Sequence, residues 1–205
     1  MIKRSAPGYP MIIEQIGRFA PLFVEDNSKI YDLGCSLGAV SNALRHSIRA
    51  ENVEIIAIDN SEPMIEKATQ FFRLQDQVHD GLIPINLQKA DITQIDFSPA
   101  SIVVLNLTLQ FIEPSERLKL LSKIRKSLLP TGALFLSEKT YFQDPQEQAV
   151  LDDMHLAFKR ANGYSELEIA QKREAIENVM RIDSFEIHKE RLHQAGYTRV
   201  YQWFQ

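Results

Sequence analysis

Short apolar runs, separated by longer mixed segments, dominate the first two thirds of the chain. Five of them have the length of strands, at residues 29–32, 53–59, 83–88, 101–105 and 133–137. Runs with so little polar alternation are typical of parallel strands that are buried on both faces. The pattern therefore predicts a parallel sheet at the centre of the protein.

Before and between these runs, apolar residues recur at steps of three and four, which indicates amphipathic helices. The predicted helices cover residues 11–23, 39–47, 61–74 and 114–128. Strands that alternate with helices in this way form a doubly wound sheet. The predicted fold class is α/β: a Rossmann-like parallel sheet with helices on both faces.

The pattern changes after the fifth strand. Two helices, at 145–161 and 165–180, read as an insertion over the sheet, and a helix at 184–195 and a last strand at 198–204 follow. We predict a single domain of four parts: an irregular arm and first helix at 1–28, a core at 29–139, the helical insertion at 140–183, and the last helix and strand at 184–205.

Composition narrows the classes of function. The formal net charge is −4 and basic residues are not clustered, so the chain lacks the electrostatic surface that nucleic-acid binding needs. A single cysteine excludes an internal disulfide and favours the reducing cytoplasm. No apolar run is long enough to cross a membrane, and the first residues have no signal-peptide core. We expect a cytoplasmic protein with a small-molecule ligand.

A glycine-bearing loop follows the first strand and reads Asp-x-Gly-x-x-x-Gly from Asp32 to Gly38. A dinucleotide fingerprint would need glycine at Ser36 and at Ala39, and the lysine of a phosphate-binding P-loop is absent. The loop instead resembles the first motif of S-adenosylmethionine-dependent methyltransferases, where it faces the amino-acid end of the cofactor.

Polar side chains follow three further strands. In the fold that the loop resembles, Asp59 stands where an acid binds the ribose hydroxyls, and Asp91 where an acid accepts from the adenine amino group. Asn106, after the fourth strand, stands beside the sulfonium. Open α/β sheets bind ligands at the carboxyl ends of their strands, so these positions together predict an S-adenosylmethionine site.

A closer resemblance covers nearly the whole chain. The stretches that carry it are DLGCSLG at 32–38, IDNS at 58–61, VLNLTLQFI at 104–112, EPSER at 113–117, FKRANGYSELE at 158–168, QKR at 171–173 and WFQ at 203–205. They are similar to the carboxy-S-adenosyl-L-methionine synthase family. The block at 158–173 is the most specific of them, because general methyltransferases lack it.

That resemblance implies a reaction other than methyl transfer. The family converts S-adenosylmethionine and prephenate into carboxy-S-adenosylmethionine and phenylpyruvate, for the 5-oxyacetic acid modification of the tRNA wobble uridine. The resemblance also implies a homodimer, and it assigns Arg173 to bind the new carboxylate, which a guanidinium can bind through two hydrogen bonds. A second enzyme would transfer the carboxymethyl group, so direct binding to nucleic acid is not expected.

Carried over position by position, the resemblance gives nine residues that contact the cofactor: Tyr9, Gly34, Cys35, Ser36, Asp59, Asn60, Asp91, Ile92 and Asn106. We expect Cys35 to be a packed loop residue rather than a nucleophile. His155, His188 and His193 have no metal-ligand spacing, and no metal is expected.

Two alternatives remain open from the sequence. One is a small-molecule methyltransferase on the same fold, and the other is a non-catalytic module that holds S-adenosylmethionine as a structural or sensing ligand. Family members extend further at both ends, including an additional C-terminal strand. We therefore expect this sequence to be a trimmed form, in which the strand at 198–204 lacks a neighbour.

Overall fold

The computed structural model describes residues 2–177 and 179–204, with the backbone alone at residues 176 and 177. Its strands are β1 (Lys29–Leu33), β2 (Glu54–Asp59), β3 (Ile85–Lys89), β4 (Ala100–Asn106) and β5 (Leu128–Ser137). They form one parallel sheet in the order β3-β2-β1-β4-β5. The predicted doubly wound α/β fold is confirmed, and the strand order reverses beside β1, where such folds bind ligands.

The helices are α1 (Tyr9–Phe19), α2 (Ala39–Ser47), α3 (Glu62–Val78), α4 (Pro114–Ser127), α5 (Pro145–Ala161), α6 (Glu166–Glu177) and α7 (Phe185–Gln194). Three short 3-10 helices lie at Ile2–Arg4, Ala20–Leu22 and Leu109–Phe111. The bounds of α2 and α5 are those predicted from the sequence. None of the helices in the described part of the chain is long and apolar enough to cross a membrane.

Two apolar layers sandwich the sheet, because successive side chains of a strand point to opposite faces. On β4, Ile102 and Val104 face the layer that includes α1 and α2. Val103 and Leu105 face the layer that includes α4 and α7. All four are fully buried, which explains why β4 reads as a continuous apolar run.

The insertion is fastened to the rest of the molecule through the N-terminal arm. Arg4 donates hydrogen bonds to the carbonyl oxygens of Asn162 (2.7 Å) and Gly163 (2.6 Å), and its guanidinium lies 4.9 Å from the centre of the Tyr164 ring. A parallel bridge between Thr140 and Asp183 closes the base of the insertion. The arm that the sequence pattern left irregular therefore holds the insertion in place, and α1 already begins at Tyr9.

The prediction of a C-terminal strand is wrong. Residues 198–204, all within the described part of the chain, form no strand, and Gln205 lies outside it. Trp203 and Phe204 pack against the same apolar layer, and the Trp203 ring meets Phe135 edge-to-face at 5.9 Å. Consecutive residues of a strand cannot share one face, so burial of both rings is incompatible with strand geometry here.

Other element boundaries also differ from the predictions; α1 ends at Phe19 rather than at residue 23, and α3 ends at Val78 rather than at residue 74. β5 begins at Leu128 rather than at residue 133, with a register shift against β4 between Ala100 and Ile102. Pro130 and Gly132 therefore lie inside an irregular strand rather than before it. In the insertion, α6 ends at Glu177 and not at the predicted residue 180.

Candidate functional site

The loop after β1 turns over the end of β2. The N–H groups of Gly34 and Cys35 both donate to the carbonyl oxygen of Ile58, at 2.8 and 2.9 Å. Gly34 has a φ of +78°, and a β-carbon there would lie 2.4 Å from Oγ1 of Thr108. Only glycine fits this close approach, which lets the loop backbone pack directly against the Thr108 side chain.

Asp32 anchors this loop from below. Its side chain is buried, and its Oδ2 accepts hydrogen bonds from the Ser41 N–H (3.0 Å) and hydroxyl (2.6 Å) in the first turn of α2. Burial raises the pKa of Asp32 to about 6, although the Ser41 hydrogen bonds lower it. Tyr9 is also buried, and its pKa is raised by burial and then by the charge of Asp32, which places this predicted site residue near the loop.

Asp59, at the end of β2, ties the loop to the second strand. Its Oδ2 accepts from the Ser36 N–H and its Oδ1 from the Ser61 N–H, both at 2.9 Å. Each carboxylate oxygen has room for a further hydrogen bond, so two neighbouring hydroxyl groups could bind to this side chain. Asn60 is exposed beside it. The geometry brings the two predicted ligand points, Ser36 and Asp59, into direct contact.

Asp91 lies beside Asp59 because the Ala90 N–H donates to the Asp59 carbonyl oxygen at 3.1 Å. The Asp91 carboxylate is exposed, and its Oδ1 accepts from the Thr93 N–H (2.9 Å) and hydroxyl (2.8 Å). The side chain of Ile92 packs into the core. Ile92 therefore can offer a ligand its backbone, as the predicted adenine contact requires.

Asn106 ends β4 with an unusual feature. Its Oδ1 is buried and has no hydrogen-bond partner among the described residues. Ser137 is its neighbour in register on β5, and Oγ of Ser137 is likewise buried without a partner among those residues. A buried polar atom without a partner costs free energy, so such atoms mark positions that a ligand or water completes. The chain then turns sharply at Leu107, which has a φ of +58°.

A residue that the sequence reasoning missed holds this turn. The Glu138 carboxylate, just after β5, accepts hydrogen bonds from the N–H groups of Thr108 (3.0 Å), Leu109 (2.7 Å) and Gln110 (3.1 Å). Burial raises the pKa of Glu138 to about 7, although the three hydrogen bonds lower it. Like Asp59, Glu138 is an acid at the end of a strand, and this position in the sequence could have identified it as a site residue.

Two predicted residues have contrasting settings. Cys35 is buried, and its pKa is raised by burial and by the charges of Asp32 and Asp59, so it is a protonated, packed thiol, as expected. Arg173 lies on α6 with an exposed side chain, in the insertion rather than at the strand ends. It lines a groove of about 300 Å³ together with residues that include Arg160 and Glu166.

Among the histidines, His155 contacts the carbonyl oxygen of Ser5 and His193 that of Tyr197. His188 is buried on α7, and burial lowers its pKa to about 4. The residues that the structure describes include no group of three or more His, Cys, Asp or Glu side chains placed to hold a metal ion.

Comparison with solved structures shows the fold alone. The YcgJ protein of Bacillus subtilis is similar with a TM-score of 0.65 at 13% identity, over 91% of this chain and 68% of that one. The cyclopropane synthase MmaA2 of Mycobacterium tuberculosis has a TM-score of 0.64 at 17% identity, over 91% of this chain and 60% of that one. A family model described as a methyltransferase domain matches residues 30–132.

Curated relatives are far more similar. The carboxy-S-adenosyl-L-methionine synthase of Pseudomonas syringae pv. syringae (strain B728a) is 57% identical, and that of Pseudomonas entomophila (strain L48) is 56% identical. The synthase of Stutzerimonas stutzeri (strain A1501) is 54% identical. Each match covers all 205 residues of this chain and 83% of the relative. The chain therefore belongs to the carboxy-S-adenosyl-L-methionine synthase family, within the methyltransferase superfamily.

Proposed function

We propose that the protein converts S-adenosylmethionine and prephenate into carboxy-S-adenosylmethionine and phenylpyruvate. The observation that carries this proposal is the identity of 54–57% with named synthases over the whole chain, α5 and α6 included. The solved methyltransferase-fold structures share little sequence, so they support the fold and leave the reaction to the relatives.

The site fits S-adenosylmethionine as the first substrate. The unpartnered Oδ1 of Asn106 is a feature that a ligand would complete. Asp59 would accept from the two ribose hydroxyls, and Asp91 from the adenine amino group. The remaining contacts would come from Tyr9, Cys35, Ser36, Asn60 and the backbone of Ile92.

The proposed reaction balances without a further reagent. Prephenate loses its ring carboxyl as carbon dioxide and its ring hydroxyl as hydroxide, and the ring becomes aromatic. The methyl carbon beside the sulfonium gives up a proton and forms a carbon–carbon bond to the carbon dioxide. The proton and the hydroxide leave as water. The protein's contribution would be to hold both substrates and to exclude bulk water, which would otherwise compete for the reactive carbon.

Arg173 would bind the new carboxylate, since a guanidinium can make two parallel hydrogen bonds to it. Its exposed position on α6 is compatible with closure of the insertion over the site or with a role at a partner's site. A homodimer is part of the proposal. So is a cytoplasmic role in supplying the tRNA wobble-uridine pathway, with a second enzyme binding the tRNA. The net charge of −4 is consistent with an enzyme that does not bind tRNA itself.

The nucleoside bound to the purified protein tests the proposal. The protein is denatured, and the released ligand is weighed before and after incubation with prephenate. Carboxylated S-adenosylmethionine together with phenylpyruvate supports the synthase. S-adenosylmethionine or its demethylated form alone, with no response to prephenate, would support a plain methyltransferase or a binding module.

A pair of variants tests the role of Arg173. We expect Arg173→Ala to lose at least a hundredfold in the rate of carboxylated product, because the new carboxylate loses its cation. Arg160→Ala is the matched control, since Arg160 is a second exposed arginine in the same groove and pairs with Glu166 at 2.6 Å. Its rate should stay within about twofold of wild type. If Arg173→Ala, like the control, forms carboxylated product at a rate within about twofold of wild type, Arg173 has no role in the reaction.

A further inference from the structure

Three half-buried lysines come together where the insertion meets the sheet. Lys139 follows Glu138 at the end of β5, Lys159 lies on α5 and Lys172 on α6. We call these three the lysine cluster. Burial lowers the pKa of Lys159, and the charges of Lys172, Lys139 and Arg173 lower it further. Lys159 therefore lies within electrostatic range of the other two lysines, and the contacts of Ser5 with His155 and Lys172 bring α5 and α6 together at this place.

The N-terminal arm fixes the geometry of the lysine cluster. Nζ of Lys172 donates to Oγ of Ser5 at 2.6 Å, and it lies 5.4 Å from the centre of the Tyr164 ring. Nε2 of His155, one turn before Lys159 on α5, lies 2.8 Å from the Ser5 carbonyl oxygen. Ser5 is itself buried, so one ordered residue joins α5 to α6.

His155 adds a neutral polar group to this place. Burial lowers its pKa, and the charges of Lys159 and Lys139 lower it further, so the ring is neutral near pH 7. Because its Nε2 faces a carbonyl oxygen, that nitrogen carries the proton and donates. The ring therefore adds no positive charge, and the positive charge of the lysine cluster stays on the ammonium groups.

The charge of the lysine cluster is not balanced by the protein. Several lysines elsewhere have carboxylate partners, as Lys29 has Glu54 at 2.5 Å and Lys89 has Glu62 at 2.6 Å. Within residues 2–177 and 179–204, no member of the lysine cluster forms an ion pair, and the nearby Asp152 is the single acid that raises the pKa of Lys159. Cations gathered at partial burial without counter-ions destabilise the fold, which a bound anion would reverse.

The lysine cluster also borders the site that is proposed for the sulfonium. Lys139 is the residue after Glu138, whose carboxylate binds the backbone of Thr108. Thr108 in turn covers Gly34 and follows Asn106 by two residues. Through Lys139, the lysine cluster is therefore joined to the turn beside Asn106, where the end of the cofactor that would be carboxylated is proposed to lie.

We propose that Lys139, Lys159 and Lys172 form the binding site for a small dicarboxylate, the second substrate, and hold both of its carboxylates beside the sulfonium. This proposal rests on the proposed function for the identity of the dicarboxylate, prephenate, and on the lysine cluster for its place. Two carboxylates need more than one cation, so the site would prefer a dicarboxylate to the monocarboxylate product phenylpyruvate. That difference favours release of the product.

Binding without turnover tests this site. Protein loaded with S-adenosylhomocysteine, which has no methyl group to react, is titrated with prephenate and with phenylpyruvate by calorimetry. The variants are Lys139→Gln and Lys159→Gln, which leave the Lys172–Ser5 hydrogen bond in place. The matched control is Lys189→Gln, an exposed lysine on α7. We expect each cluster variant to weaken prephenate binding about tenfold and the control to change it less than twofold. Affinity for S-adenosylhomocysteine should not change.

The outcomes separate this inference from the proposed function. Prephenate binding that depends on the lysine cluster, without formation of carboxylated product, would uphold the site and refute the reaction. Turnover of prephenate by variants that bind it as tightly as wild type would uphold the reaction and overturn the site. Wild-type protein that neither binds nor converts prephenate would overturn both.

Discussion

Replacing Glu138 with glutamine tests the site geometry through the change in folding stability. That change depends on pH. Oε1 of Glu138 accepts two backbone N–H groups and Oε2 accepts a third, yet burial raises its pKa from 4.5 to about 7. The folded chain therefore holds the carboxyl proton more tightly than the unfolded chain. The stability that this proton contributes is complete below about pH 4.5 and is lost as the pH rises to about 7.

The size of the loss follows from the shift in pKa. Each pKa unit corresponds to about 1.4 kcal/mol, so ionisation of Glu138 removes up to about 3 kcal/mol of folding free energy between these limits. Glutamine has nearly the same shape, keeps one acceptor oxygen and does not titrate. At about pH 5 we expect Glu138→Gln to be within about 1 kcal/mol of wild type, because one acceptor is retained. Relative to wild type, the variant should gain about 3 kcal/mol by about pH 8.

Urea unfolding of both proteins at several pH values measures this difference, and subtraction removes the contribution of other titrating groups such as Asp32. Glu14→Gln, at an exposed glutamate of α1 that pairs with Arg18, is the control and should show no such trend. A stability difference between wild type and Glu138→Gln that is constant with pH, or that grows in favour of wild type, would refute the assignment of a buried carboxyl clamp.

Three further predictions concern the loop, the ribose contact and the buried ion pair. Asp59→Asn should weaken S-adenosylhomocysteine binding by about 2–4 kcal/mol but weaken a 2′,3′-dideoxy analogue much less, and equal losses in calorimetry would contradict the ribose assignment. Gly34→Ala should weaken the same ligand at least tenfold, because a β-carbon would lie 2.4 Å from Thr108 Oγ1, and Thr108→Ala should restore part of that loss. Arg117→Met should cost about 3–5 kcal/mol in urea unfolding, because its fully buried guanidinium bonds to Asp183 at 2.6 Å. Arg181→Met, at an exposed arginine, should cost under about 1 kcal/mol. Similar losses of stability in Arg117→Met and Arg181→Met would show that burial does not set the cost of losing the guanidinium.

The sequence predicted the sheet because its strands are buried on both faces. Burial on both faces leaves the long apolar runs of β2 and β4, and the strand ends are then marked by polar residues such as Asp59 and Asn106. The same periodicity failed at residues 198–204, where aromatic side chains suggest a strand. The packing of Trp203 and Phe204 on one layer depends on tertiary contacts with Phe135 that no local pattern contains.

The candidate site was predictable only where a residue acts through its place at a strand end. Gly34 and Asp59 belong to local motifs, and the structure brings their loops into contact. Glu138 was missed because its hydrogen-bond partners lie 28 to 30 residues earlier in the chain. The lysine cluster was missed for the same reason: its members come from β5, α5 and α6, and the N-terminal arm joins two of these elements.

The most direct test of the account follows one carbon atom. Prephenate labelled with ¹³C in its ring carboxyl is incubated with the protein and S-adenosylmethionine, and the nucleoside product is weighed. The account predicts a carboxylated sulfonium that carries the label, formed in equal amount with unlabelled phenylpyruvate. Label found only in bicarbonate, or a carboxylated product without label, would contradict it.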